Sequence, residues 1–388
     1  MKKKHFPILA ALLISGSALV VTSCSKDDDE IATTPVVGIA QDPNNFKGEV
    51  TSGQVVTLDP TKVYVLNGPV RVKDGGKLVI PAGTRIVATA TTSSYVLVEQ
   101  GGQIYANGTP ASPVSFTSSA ATPGTWGGVI ICGKAPINTG TIGTSEIGTA
   151  MYGGTSAADT SGSLTYVRIE NAGADFSTNV KFNGLSLFGV GSGTKVENIA
   201  LINGAEDGIQ LYGGTVNVSN IAALGNADDA FVWTDGWIGT ASTILTQRRT
   251  NGTGNTGIKG MNNASNPAAT PISSPSLKNI TLLGGTTGES NAISLSSGTY
   301  ANFDNVVVSN WAKGFNLTGD ATITYLNGQS KISNVFFDTN VTNKITATST
   351  TGTTVTLLSN TYTEKSDATG AGNKTGNPAW AIGWSGLQ

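Results

Sequence analysis

Three aspartates stand at matching places in successive stretches of this chain. Asp207 and Asp229 lie 22 residues apart, in Glu206-Asp207-Gly208-Ile209 and Asp228-Asp229-Ala230-Phe231. Upstream, Asn171-Ala172-Gly173-Ala174-Asp175 aligns with Asn203-Gly204-Ala205-Glu206-Asp207, which adds Asp175 to the column. Glu206 and Asp228 flank it. Carboxylates so close repel one another unless something offsets them: a calcium ion, basic side chains, raised pKa values or turn N–H groups. Calcium takes several hard oxygen ligands, and Asp175, Asp207 and Asp229 are the ones this register offers.

Aromatic groups follow the second Asp pair directly, in Trp233-Thr234-Asp235-Gly236-Trp237. Indole faces stack well on sugar rings, so Trp233 and Trp237, with Asp175, Glu206, Asp228 and Asp235, are the ligand-binding candidates. The plainer alternative is that the Asp pairs bond turn amides while the tryptophans cover the edge of a repeating unit.

These residues need a scaffold that repeats. Gly is 50 of 388 residues and charged residues are only 12%, with aliphatics too frequent for disorder. Short β-branched runs broken by Gly, Asn and Thr point to an all-β chain. Five pieces superimpose as apolar, polar, Asn, then an aliphatic strand, carrying Asn198, Asn220, Asn279, Asn305 and Asn334. Asn tolerates the left-handed backbone of a tight corner. Stacked coils would set these amides about 4.8 Å apart, one strand spacing, so that each can bond the next. The fold expected is therefore a single-stranded parallel β-helix with a ladder of structural asparagines.

Earlier coils use another repeat, as in Gly76-Lys77-Leu78-Val79-Ile80-Pro81-Ala82-Gly83-Thr84. A coil cannot bury its inner face alone, so both ends need covers. Within a domain of 40–388, residues 40–70 are assigned to an N-terminal cap and 360–388 to a C-terminal one. Trp380 and Trp384 are expected to close the far end. Because Asn220 and Asn279 are 59 apart, one long excursion is expected over 238–276. It carries Arg248, Arg249 and Lys259, which could fold over the acidic column.

The Asn ladder over about residues 50–350 resembles that of pectate-lyase-like, right-handed parallel β-helices. The resemblance implies a glycan-active enzyme using carboxylate-bound calcium, with an Arg or Lys as base. Asp207, Asp229, Arg248 and Lys259 are the catalytic candidates on that reading, as a polysaccharide lyase. The Asp228-Asp229 pair also resembles the double aspartate of polygalacturonases. That family's Gly-His-Gly partner is missing, because the only histidine is His5.

The N-terminus sets the expected compartment. Lys2, Lys3 and Lys4 precede an apolar run from Phe6 to Val21, which reads as a signal peptide over 1–23. Val21-Thr22-Ser23-Cys24 resembles a lipobox, which implies lipidation of Cys24. Residues 24–39 are an acidic linker, and Ser25-Lys26-Asp27-Asp28-Asp29-Glu30 resembles the surface-export signal of Bacteroidetes lipoproteins. The run Asn226–Trp237 resembles a family of Bacteroidetes surface β-helix lipoproteins of unassigned biochemical role. The expected location is thus the outer membrane, lipid-anchored and facing outward.

Removing the leader lysines makes a chain of 23 basic and 25 acidic residues more acidic still, which disfavours nucleic acid as a partner. Cys132, in Val129-Ile130-Ile131-Cys132, is expected to be a small buried hydrophobe. A rigid, histidine-free rod at the surface suits binding, adhesion or accessory work beside an outer-membrane uptake transporter. Catalysis ranks second.

Overall fold

The computed structural model describes residues 38–89, 92–249, 253–285 and 291–388, all within the compact unit Val36–Gln388. The expected signal peptide, Cys24 and the acidic run behind it lie outside the described residues.

Twenty-four strands join one hydrogen-bonded set in which every pairing is parallel, each strand bonding its equivalent one coil away. The chain is an all-β parallel β-helix. One face runs through Val129–Cys132, Leu185–Phe188, Ile209–Tyr212, Phe231–Thr234, Ile258–Met261, Asn291–Ser296, Lys313–Thr318 and Asn343–Thr348. A second runs through Gly162–Glu170, Lys195–Ile202, Val218–Leu224, Thr240–Gln247, Ser276–Leu283, Asn302–Ser309 and Ile332–Phe337.

Alternation along each strand sends every second side chain inward. Ile209, Phe231, Ile258, Ile293 and Phe315 therefore stack in one internal column, all buried. Each such side chain stabilises the fold by about 1.5–3 kcal/mol relative to exposure.

Thr240–Gln247 and Ile258–Met261 both belong to the region expected as a loop excursion, so that expectation is corrected. Both are coil strands, Thr240–Gln247 paired below to Val218–Leu224 and above to Ser276–Leu283. The ladder position of this coil is Thr243, which lies between Asn220 and Asn279 in register. Its φ of 60° matches the 55° and 58° of those neighbours. A β-branched residue hides the corner from any search for Asn, and 59 residues then read as one long interval instead of two coils.

The ladder is consequently split. Asn220 Nδ2 donates to Asn198 Oδ1 at 2.9 Å, and Asn305 Nδ2 donates to Asn279 Oδ1 at 2.9 Å. Asn334 keeps the corner conformation, with φ 54°, but donates to Asp304 Oδ1 at 2.7 Å. A second corner has its own rung, Asn203 Nδ2 to Asn171 Oδ1 at 2.7 Å.

Both caps differ from expectation. Within 40–70, Phe46–Val50 and Val63–Val72 already pair as coil strands, preceded only by short 3-10 turns at Gly38–Ala40 and Pro43–Asn45. Beyond Tyr362–Glu364, which pairs as the last coil strand, the C-terminal tail does not cover the far end. It turns back along the outside of the second face, first at Val335, where the Lys365 N–H donates to the carbonyl. It then meets Asn305 through Thr369 and Gly370, and Thr281 through Ala371 and Lys374. Trp384 and Trp380 finish over Ala200 and Ala222, with Tyr166 edge-on to Trp384 at 5.4 Å. The small alanines leave room for the indoles. At the far end, Val355, Leu357 and Tyr362 lie half-buried against the last coils instead.

Candidate functional site

Asp207 and Asp229 each sit two residues before an inward-facing aromatic or aliphatic residue that opens a strand, Ile209 and Phe231. That position aims the carboxylate along the stack. The Asp229 backbone N–H donates to Asp207 Oδ1 at 3.0 Å, and the Thr256 N–H donates to Asp229 Oδ1 at 2.8 Å. One oxygen of each carboxylate thus satisfies a backbone donor of the next coil. Both residues are buried.

The remaining oxygens carry the charge question. Asp229 Oδ2 meets Lys259 Nζ at 2.8 Å, and Glu206 meets Lys181 at 3.3 Å. Asn255 Nδ2 donates to Asp228 Oδ1 at 3.1 Å. One ligand oxygen from each of Glu206, Asp207 and Asp228 lies within 4.8 Å of the others.

Burial holds the Asp207 carboxyl well above its ordinary range, and the charges of Asp229, Asp228 and Glu206 push it further. Glu206 is raised by burial and then by Asp228. Burial alone would lower Lys259, but its hydrogen bond to Asp229 and the charges of Asp229, Asp207 and Asp228 outweigh it and raise it. Lys181 is raised by the charge of Glu206.

The register places other candidates differently. Asp175 is exposed, on a small hairpin of Asp175–Ser177 and Val180–Lys181, and does not join the column. Asn171 and Asn203 do stack, but beyond Gly173 the chain leaves the coil. It is Gly173 that lies against Glu206, where an added side chain would strike the Glu206 backbone N. The calcium ligand set Asp175, Asp207 and Asp229 is therefore replaced by Glu206, Asp207 and Asp228. Through its hairpin, Asp175 instead sits across from Lys181, a site residue that no sequence pattern announced.

Trp233 and Trp237 are not a sugar platform. Both are fully buried in the core, with Trp233 Nε1 donating to Thr299 Oγ1 and Trp237 Nε1 to Val216 O, each at 3.0 Å. Trp233 shares the inward register of Leu211, and its ring fits because the next coil offers Gly260. A Cβ there would run into the indole. Asp235 lies beyond the opposite end of the strand Phe231–Thr234, where burial raises it and Thr234 Oγ1 donates to it at 3.0 Å.

Of the basic residues, the structure brings Lys259 to the acids, since it is the register partner of Val232 on the outer side of the strand. Arg248 goes elsewhere, its guanidinium over the Trp311 ring at 5.1 Å and bonded to the Gly254 carbonyl. Arg249 ties two corners together, donating to Gly225 O at 2.6 Å and Gly204 O at 3.3 Å.

Calcium fits the three-carboxylate group. The donors are hard oxygens, and oxygens within 4.8 Å of one another can share one ion with ligands at about 2.4 Å. Glu206 and Asp229 are paired with Lys181 and Lys259, which leaves Asp207 and Asp228 without a cationic partner among the described residues.

No curated protein and no solved structure matches the chain. A family model does match, over residues 48–385, and it describes a pectate-lyase-like β-helix domain. With a parallel coil in continuous register across the same span, this chain belongs to the pectate-lyase-like β-helix domain family.

Proposed function

We propose that this protein is a non-catalytic, glycan-binding member of its family, held at the outer surface of a bacterial outer membrane by lipid on Cys24. There it serves adhesion or supplies glycan to a neighbouring uptake complex. The observation that carries the binding reading is the 2.8 Å pair between Lys259 and Asp229. A lyase base must give up its proton and then reach the carbon acid of the substrate. Lys259 is held as the ammonium by a buried carboxylate, and Arg248 is engaged with Trp311. What remains beside them is a set of oxygen ligands, Glu206, Asp207 and Asp228, suited to hold calcium and through it the carboxylates of an acidic glycan.

A calcium-dependent lyase is the second reading, favoured by the placement of the sole nearby lysine pairs, Lys259 and Lys181, against this same acidic group among the described residues. One experiment separates the two. The purified protein is titrated with calcium chloride, then applied to a glycan array of uronate polymers with and without chelator, and the polymers are assayed for unsaturated ends. Calcium-dependent retention without unsaturated product supports binding. Product formation that needs Lys259 would replace it with the lyase reading, and absence of both retention and product would overturn each.

A further inference from the structure

Residues 133–161 leave the coil after Val129–Cys132 and return at Gly162–Glu170. Their middle is an antiparallel hairpin of Gly143–Thr144 and Met151–Tyr152. Ile147, Ala150 and Tyr152 pack on the outward-facing Ile130, Cys132 and Phe188, forming a second hydrophobic cluster outside the main core. The base of this flap is firmly tied. Gln100 Nε2 donates to the carbonyls of Gly133 at 2.8 Å and Gly153 at 2.7 Å, and Asn138 Nδ2 donates to Asn262 Oδ1 at 2.7 Å.

The tip is held through a carboxyl. Ser186 Oγ donates to Glu146 Oε1 at 3.0 Å, and Tyr212 Oη lies 3.4 Å from Glu146 Oε2. Tyr212 has one hydroxyl proton, and Gln210 Oε1 stands closer, at 2.7 Å. Asn183 Nδ2 points at Ser186 Oγ, Tyr212 Oη and Gln210 Oε1, at 3.1, 3.2 and 3.3 Å, which fixes Gln210 as the acceptor. With the Tyr212 proton committed to Gln210, the phenol turns a lone pair toward Glu146. The contact is then a hydrogen bond only when the carboxyl carries the proton.

Among the described residues, the other titratable groups around the tip give an ionised Glu146 no cation to meet. The strand beneath contributes the Cys132 thiol, which feels Glu146 and Glu99. Tyr212 feels the negative charges of Glu146, Asp207 and Asp235, and Tyr152 feels Asp235. Arg71 reaches Thr149 Oγ1 at 3.5 Å, but its guanidinium is paired with Glu99 at 2.7 Å. Burial lifts Glu146 to about 7, against the pull of the Ser186 hydroxyl that donates to it.

We propose that Glu146 is a proton-operated latch: protonated, it donates to Tyr212 while accepting from Ser186, and ionised, it faces the Tyr212 lone pair with no cation beside it and lets the tip lift from the outer face of the coil. Release would uncover Tyr212, stacked on Phe188 at 3.9 Å, together with the amides of Asn183 and Gln210. Closure is fully favoured below the ordinary carboxylate range and weakens as pH rises from there through the value raised by burial. The latch stands whether or not the carboxylate group binds a glycan.

Hydrogen exchange of the full chain tests it, followed on peptides covering Gly143–Tyr152 and corrected for intrinsic rates. Between about pH 5 and about pH 8, protection of the tip should fall roughly tenfold, while peptides from Phe231–Thr234 hold theirs. Glu146→Gln, which keeps the shape of the protonated acid, should abolish the pH response. Equal protection of the wild-type tip at both pH values overturns the proposal, as does an unchanged response in the variant. Should the variant fail to fold, the wild-type comparison of tip and core peptides decides alone.

Discussion

Asp207 accepts the backbone N–H of Asp229 at 3.0 Å, so a residue that looks like a ligand is also the acceptor that closes the coil above it. The two roles respond differently to substitution. Asp207→Asn keeps an acceptor and removes a charge, whereas Asp207→Ala leaves a buried N–H without a partner. In chelator, the Asn variant should be at least as stable as wild type, and the Ala variant less stable by about 1–3 kcal/mol. Urea denaturation measures both. Equal losses in the two variants would mean that the carboxylate charge, and not its acceptor oxygen, matters.

The same crowding fixes a pH dependence. Asp207 and Glu206 are both raised by burial and neighbouring carboxylates. Their contribution is complete below the ordinary acid range and is lost as pH rises above it, because the folded state binds protons more tightly. Without metal, the denaturation midpoint should fall between about pH 5 and about pH 8. Calcium at about a hundredfold over its dissociation constant should return about 2.7 kcal/mol near neutral pH. Midpoints that rise with pH in chelator would contradict the assignment.

Removing Lys259 tests the pair from its other side. The Asp229 side chain is 1% exposed and that of Lys259 is 38% exposed. Lys259→Ala strands the buried carboxylate, at a cost of about 2 kcal/mol, reduced from that of a fully buried pair because the lysine is partly screened by water. Thermal unfolding of the variant, alone and with Asp229→Asn, gives the coupling. A double variant no better than the single would show that the pair contributes little.

Thr243 holds a left-handed backbone that its β-branched side chain disfavours. Thr243→Asn should relieve that strain and offer amide partners to Asn220 and Asn279. The expected gain is about 1 kcal/mol, read as a higher urea midpoint. A loss would mean that packing at this corner demands the threonine methyl.

That one threonine also explains what the sequence concealed. Repetition of Asn198 and Asn220 makes the coil and its register legible, and the strands follow. The break at Thr243 turns a regular coil into an apparent loop. Trp233 misleads for a related reason: strand alternation decides its direction, and Gly260 one coil on makes room for it, while Trp237 lies past the end of that strand, where alternation says nothing. Asp175 and Lys181 meet across a hairpin, where coil spacing carries no information. Lys259 is legible only once Phe231 and Ile258 are known to stack. The acidic pairs themselves follow the 22-residue interval and were readable directly.

The tail can be tested through one residue. Trp384 is nearly buried against Ala200 and Ala222. Trp384→Ala should cost about 3 kcal/mol and raise hydrogen exchange in Lys195–Ile202 and Val218–Leu224. Stability unchanged within error would show that the tail adheres without strengthening the coil.

In stacked-coil proteins each layer ordinarily leans only on its neighbours, so the final layers are free to peel away one by one. The returning tail alters that, because it is fastened to Val335, Asn305 and Thr281 on its way to Ala200. Loosening the terminal layers therefore strains an attachment in the middle of the rod. The seam makes distant turns share one fate, and a coil pulled or digested from its last layer would yield as a block.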